Sequence, residues 1–395
     1  LENKNFRFET EAIHSGYLSD EHQGSLVPPL YQTSTFTFAS AEQGERRFAG
    51  QEEGYIYSRL GNPTVKILED RMAKLEQGEA GLAFSSGMAA VSAVLTALTK
   101  TGDRILCSQG VYGCTYGLLQ LLKDKYDIAH DFSLMSSKEI LEEEIRPNTA
   151  CIYIETPINP TMKLVDLELV ASIANQRGIP VVVDNTFCSP YLQTPISLGC
   201  DVVIHSATKY ICGHGDVIAG IVVGKSDFIQ QVSRTTQKDI GGTVSPFDAW
   251  LLLRGIKTLP VRMDRHCENA SKLVEFLRNH PKVEKLYFPG NSDYVDDNRI
   301  MQKQMKKPGG LISFSIKGSK QTAQLFMNQL KLIKIAVSLG DAETLIQHPA
   351  TMTHAVVPVE ERRKMGIEDT LLRLSVGLEA WEDIQEDLDQ ALEKI

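Results

Sequence analysis

Two stretches of the sequence end apolar runs with residues able to do chemistry. Asp184 closes Val181, Val182 and Val183 and leads into Asn185, Thr186 and Phe187, while Ser206, Ala207, Thr208 and Lys209 follow Val202, Val203 and Ile204. Short β-branched runs read as strands, and open α/β sheets bind ligands beyond the carboxyl ends of their strands. A carboxylate placed there can keep the ring nitrogen of pyridoxal 5'-phosphate (PLP) protonated, which makes the ring an electron sink for carbanion chemistry. Lys209 can supply the amine for the PLP aldehyde, and the hydroxyls of Ser206 and Thr208 suit phosphate oxygens. Each residue alone has a plainer reading, since strand-end aspartates often only cap and lysines are usually solvated. Their company favours the chemical one.

Ser85, Ser86, Gly87 and Met88 open an apolar helical stretch through Val91, Val94 and Leu95. Amides at a helix N-terminus attract anions, and a glycine lets a phosphate come close. An ordinary capped helix would carry the same residues. Tyr112 follows the strand-like Arg104 to Ser108; there it can stack on a ring and deliver a proton, or simply fill a core. Competing motifs fail. Gly220 to Ser226 is one residue short of a P-loop, because Ala219 stands where the first glycine belongs, and no GxGxxG follows a predicted strand. Cys212 and His214 lack the further ligands that zinc needs.

These residues must be held by a large fold. A chain of 395 residues exceeds what one core usually serves. Residues 1–62 read as an irregular arm, rich in Gly, Pro, Ser and Thr. Residues 63–260 read as an α/β domain, opened by a helix with Asn62 as N-cap and Pro63 at its first position. Strand-like runs at Cys151 to Glu155, Pro180 to Asp184, Asp201 to His205 and Val217 to Val223 alternate with helical stretches, which predicts a mostly parallel sheet with helices on both faces. Residues 261–395 read as a smaller α+β domain, with strands near Gly310 to Ile316 and Leu371 to Val376.

With 42% apolar and 23% charged residues and a formal charge of −9, the composition is globular. No apolar run can span a bilayer, and no basic stripe suits nucleic acid, so neither is an expected partner. Leu1 to Phe8 has no apolar block, and a secretory signal is not expected. Seven scattered cysteines without a CxxC pair suggest reduced thiols and a cytoplasmic protein.

Several longer motifs fit one family. YSRLGNPT (Tyr57 to Thr64), SSGMAA (Ser85 to Ala90), ETPINP (Glu155 to Pro160), the run from Asp184 to Tyr210, GHGD (Gly213 to Asp216) and RLSVGLE (Arg373 to Glu379) together resemble the PLP-dependent Cys/Met metabolism, or trans-sulfuration, enzymes over nearly the whole chain. The resemblance implies the aspartate-aminotransferase-like fold, fold type I. It implies Lys209 as the Schiff-base lysine, Asp184 as the partner of the ring nitrogen and Tyr112 as the stacking aromatic, with Gly87, Met88, Ser206 and Thr208 on the phosphate. Tyr57 and Arg59 would complete the phosphate site of a neighbouring subunit, which implies a homodimer and usually a tetramer of two dimers. Arg373, with Ser338 and Asn159, would bind the substrate α-carboxylate, an anion that a guanidinium meets in bidentate fashion.

Three places resemble the members that split L-methionine. Cys114 stands two residues after Tyr112; Lys238 and Asp239 match a pair linked in those members to the tyrosine and cysteine; and Val337 replaces a glutamate common in cystathionine-handling members. Cys114 can equally be a small buried hydrophobe, and Lys238 with Asp239 a solvated ion pair. Glu11 and Cys200 depart from the family pattern away from the chemistry. The implied reaction is α,γ-elimination, with Lys209 moving protons at Cα and Cβ and Tyr112 protonating the departing thiolate, its pKa lowered by Arg59 or through Lys238. Homocysteine is a further expected substrate. Rival readings are a lyase acting on cystathionine, homocysteine or cysteine, a transferase that joins a thiol to activated homoserine, and a non-catalytic PLP protein.

Overall fold

A computed structural model describes residues 6–290, 295–355 and 357–395. Seven strands form the larger sheet: β1 (Ala80–Phe84), β2 (Arg104–Ser108), β3 (Ala129–Ser133), β4 (Thr149–Glu155), β5 (Val181–Asp184), β6 (Val202–Ser206) and β7 (Gly220–Gly224). Their order is β1-β7-β6-β5-β4-β2-β3. The pairs among β2 to β6 are parallel, and β7 alone runs against its neighbours β6 and β1. Parallel strands covered on both faces read as continuous apolar runs. Val181, Val182 and Val183 are accordingly all buried, with Val182 in the cluster beneath the helix Gly87–Leu98 and Val181 and Val183 in the opposite cluster beneath Leu167–Gln176.

Local capping places the helices where the sequence predicts. Asn62 accepts from the Thr64 amide at the head of Pro63–Leu75. Ser86 accepts from the Ala89 amide at the head of Gly87–Leu98. The strand expected at Val217 to Val223 starts three residues later, at Gly220, because Val217 to Ala219 lie in the loop that meets Thr208.

A second sheet of β8 (Val283–Tyr287), β9 (Leu311–Ile316), β10 (Lys334–Ile335), β11 (Leu345–Gln347) and β12 (Leu371–Ser375) has the order β10-β11-β12-β9-β8, antiparallel except for β10 with β11. One face packs against the helices Leu259–Asn279, Lys320–Gln329 and Trp381–Leu392. The segment read as an irregular arm contains, among its described residues, two short α-helices, Phe8–His14 and Ala41–Phe48, and a 3-10 turn at Ser19–His22. It is tied to the larger sheet layer by Thr64, which bonds Pro29 and Tyr31, and by Trp250, which bonds Pro28. Leu18, Leu26 and Phe48 stay exposed on it. No described helix is long and apolar enough to cross a membrane.

Candidate active site

The ends of β4, β5 and β6 carry Glu155, Asp184 and Ser206 side by side, in a cleft of about 330 Å³. β12 brings Arg373 to the opposite wall, together with Val337 and Ser338. Lys209 lies between them, just past β6. Its Nζ donates to Ser338 Oγ at 2.9 Å. Burial, and then the charge of Arg373, push the ammonium below its usual pKa, while Asp341 opposes them. A buried amine with a lowered pKa is easier to use as nucleophile or base.

Asp184 Oδ1 accepts from the Thr186 amide at 3.0 Å, and Thr186 Oγ1 accepts from the Ser206 amide at 2.8 Å, so one threonine joins the ends of β5 and β6. Burial raises the Asp184 carboxyl, opposed by its bonds to Thr186, by His205 and by Tyr153. Thr208 Oγ1 accepts from the Ala219 amide at 3.0 Å. Gly87 heads its helix against Ser206; a Cβ there would lie 2.9 Å from the serine Cβ. Any larger residue would fill the hollow between a helix N-terminus and a serine hydroxyl. Met88 also lines the cleft.

The guanidinium of Arg373 is almost wholly buried. Its Nη1 donates to Asn159 Oδ1 at 3.0 Å and its Nη2 to the Ser338 carbonyl at 2.7 Å. Gln347 lies opposite it on β11, and with its amide oxygen turned inward accepts from Nε and Nη1 at 3.2 and 3.1 Å. A cation so fixed is aimed to meet a carboxylate.

Tyr112 lines the same cleft and is 37% exposed. Burial, then Cys114, push its phenol up to about 12, with Arg373 pulling the other way. Within one chain neither Arg59 nor Lys238 faces the phenol. Arg59 Nη1 instead donates to the Lys238 carbonyl at 2.7 Å, and Lys238 pairs with Asp239 at 3.4 Å. Tyr57 stacks beneath Arg59, 5.7 Å from ring centroid to guanidinium carbon, and is exposed. These four residues form a group of their own outside the cleft. Cys114 is exposed and does not line the cleft.

Sequence reasoning missed Glu155, Thr186 and Thr353 as lining residues. Glu155 had a legible signal, since it closes an apolar run as Asp184 does. The donor set fits PLP: a carboxylate for the ring nitrogen, an amine for the aldehyde, and a helix N-terminus with two hydroxyls for the phosphate.

The family model for Cys/Met metabolism PLP-dependent enzymes matches residues 9–393. The chain belongs to that family. Its cofactor is PLP, its fold is fold type I, and it is a PLP-dependent carbon–sulfur lyase. It is 50% identical to an L-methionine gamma-lyase of Fusobacterium nucleatum subsp. nucleatum over the full length of both. With the cystathionine gamma-lyase of Bacillus subtilis it shares 47% identity, covering 98% of this chain and 99% of that one. Among solved structures, metB from Corynebacterium glutamicum superposes with a TM-score of 0.93 at 40% identity, covering 99% and 98% of the two chains. The cystathionine gamma-lyase from Lactobacillus plantarum complexed with L-serine gives 0.92 at 39% identity, with 99% of each chain covered.

Proposed function

We propose that the protein cleaves L-methionine by α,γ-elimination to methanethiol, 2-oxobutyrate and ammonia, consuming one water, and that it also accepts homocysteine. The observation that carries this reading is Val337. It lines the cleft beside Ser338 and is 57% exposed, offering apolar contact where the far end of a substrate would lie. The ionisable lining residues from this chain, among those described, are Tyr112, Glu155, Asp184, Lys209 and Arg373. Both carboxyls belong to the sheet wall, so neither of these lining acids stands beside Val337 to receive the distal ammonium of cystathionine. A thioether methyl asks only for such an apolar wall.

Bound PLP supplies an electron sink for negative charge developing at Cα and Cβ. Asp184 would face the ring nitrogen, and Gly87, Met88, Ser206 and Thr208 the phosphate. Arg373, braced by Asn159 and Ser338, would hold the α-carboxylate and so fix Cα near Lys209. The Lys209 amine would take the Cα proton and then help remove one from Cβ, since a γ-substituent cannot leave from a single Cα carbanion. Tyr112 would donate a proton to the departing sulfur, a step its neutral phenol allows throughout the physiological range.

Tyr57, Arg59, Lys238 and Asp239 would act in a second copy. Because Arg59 holds the Lys238 carbonyl, an arm that delivers Arg59 to a neighbour's phosphate would bring Lys238 and Asp239 with it. A homodimer with shared sites follows, with a tetramer of two dimers as the full assembly. The division into an arm (1–62), a PLP-binding α/β domain (63–260) and a C-terminal α+β domain (261–395) belongs to the same reading, as does a cytoplasmic location suited to seven unpaired thiols. The test is side-by-side turnover of L-methionine, homocysteine, cystathionine and cysteine, following methanethiol and 2-oxo acid. Faster turnover of cystathionine than of methionine would overturn it.

A further inference from the structure

Glu155 has no part in the scheme above, yet it is only 7% exposed and closes β4 in the sheet wall. It is registered directly against Asp184 in the neighbouring parallel strand. The Tyr153 hydroxyl sits between the two, 3.4 Å from Glu155 Oε1 and 3.5 Å from Asp184 Oδ2. Two adjacent buried carboxyls with no cation between them cannot both ionise cheaply, and such a pair retains one proton.

Asp184 is the better anion. It takes hydrogen bonds from Thr186, and His205 lowers it further. The groups that face Glu155 carry no positive charge: Asp184 on β5, Tyr153 on β4, Cys107 on β2, and Tyr112 and Thr115 from the helix beyond β2. Glu155 has a second attachment. Both of its oxygens accept from the Tyr112 amide, at 3.0 and 2.9 Å. Tyr112 is the N-cap of the helix Gly113–Tyr126, and its own side chain makes no cap bond. Glu155 instead satisfies the amide of the N-cap residue itself, from the end of β4.

We propose that Glu155 is a positioning residue that carries the one proton of the carboxyl pair, seating Tyr112 at the head of its helix and leaving Asp184 as the anion. The neutral acid donates to the Tyr153 oxygen, and the Tyr153 hydroxyl in turn donates to Asp184. No bond other than these hydrogen bonds is made or broken. Burial, and then the charge of Asp184, push Glu155 up to about 8, against the bonds from Tyr112 and Thr115. Near neutral pH the proton therefore stays. The proposal rests on Asp184 and Tyr112 serving the PLP ring and is independent of which sulfur amino acid reacts.

The test is infrared spectroscopy of the holoenzyme in heavy water from about pH 6 to about pH 10, following the carbonyl stretch of a protonated carboxylic acid. Glu69, also buried and raised to about 7, contributes such a band as well, so the Glu155 component is the one that wild type shows and E155Q lacks, with a midpoint near pH 8. Cofactor content and thermal unfolding confirm a folded E155Q holoenzyme, and E155D should shift the component. Absence of any band in wild type at about pH 6, or the same band and midpoint in E155Q as in wild type, overturns the proposal. If the band behaves as expected while methionine is not turned over, the substrate reading fails and this one stands. Loss of visible cofactor absorbance from the wild-type protein would instead remove the ring that both readings assume.

Discussion

Lys209 and Ser338 lie 129 residues apart in sequence, and the lysine Nζ donates to the serine Oγ at 2.9 Å. Ser338 holds this position with φ at +103°, a region that costs a side-chain-bearing residue of order 1–3 kcal/mol. Its carbonyl meanwhile accepts from Arg373 at 2.7 Å. One strained residue thus fixes the amine that moves protons and the guanidinium that meets the carboxylate. Strain of this kind is kept where the surroundings over-determine it.

The two roles of Ser338 separate by substitution. S338A removes the hydroxyl but keeps the carbonyl and the strain. A hydrogen bond to a charged group contributes about 1.5–3 kcal/mol, so kcat should fall roughly 10- to 100-fold while KM changes little. S338G loses the same hydroxyl and relieves the strain, and it should melt at a higher temperature than S338A. Steady-state kinetics and thermal unfolding of the two variants read both effects.

At Arg373 the geometry makes a lysine a poor replacement. The guanidinium bonds Asn159 and Ser338 at once and still faces the cleft. R373K keeps the charge and loses the fork. We expect kcat/KM for methionine to fall at least about 100-fold, mainly through KM, with the spectrum of bound PLP unchanged. An unchanged KM would show that the carboxylate is held elsewhere.

Tyr112 should behave as an acid that is never short of its proton. Its phenol, raised to about 12, stays neutral at working pH, so it should contribute no limb to the pH–rate profile below about pH 10. Y112F should slow elimination by roughly 100-fold or more and leave the visible cofactor absorbance in place. A rate within a few-fold of wild type would remove Tyr112 from proton transfer.

Much of this site was legible because its chemistry sits where strands end. Asp184 directly follows three β-branched residues and Lys209 lies a few residues past another such run, and β5 and β6 begin and end within about two residues of the runs that announce them. Capping chemistry fixed the starts at Pro63 and Gly87 in the same way. β1 (AGLAF) and β3 (AHDFS) were not legible: one is built largely of small residues, the other is a half-exposed edge strand. Neither carries a β-branched run. The link between Lys238 and Tyr112 is not made within one chain. Resemblance between sequences says which residues share a site, but not that they share a chain.

Two histidines outside the catalytic machinery should set the acid limit of stability. His266 Nδ1 bonds the Val376 carbonyl at 2.7 Å, its ring packs edge-on against Tyr210, and Nε2 has no partner. His354 bonds Thr353 through Nδ1 at 3.0 Å and likewise leaves Nε2 unpartnered. Burial lowers both to about 4, helped by Arg262 for the first and by Arg373 and Arg362 for the second. The unfolded chain, with histidines near 6.5, binds more protons between these limits, so unfolding free energy rises with pH across that window. The contribution is complete above about pH 6.5 and is lost as pH falls toward 4, at up to about 3 kcal/mol for each histidine. Thermal unfolding of the holoenzyme should therefore fall steeply between pH 6.5 and 4.5. H266N, whose amide nitrogen takes the place of Nδ1 toward Val376 and cannot take a charge, should melt lower at neutral pH but lose less on acidification. An equal acid loss in H266N and wild type would assign the transition to other groups.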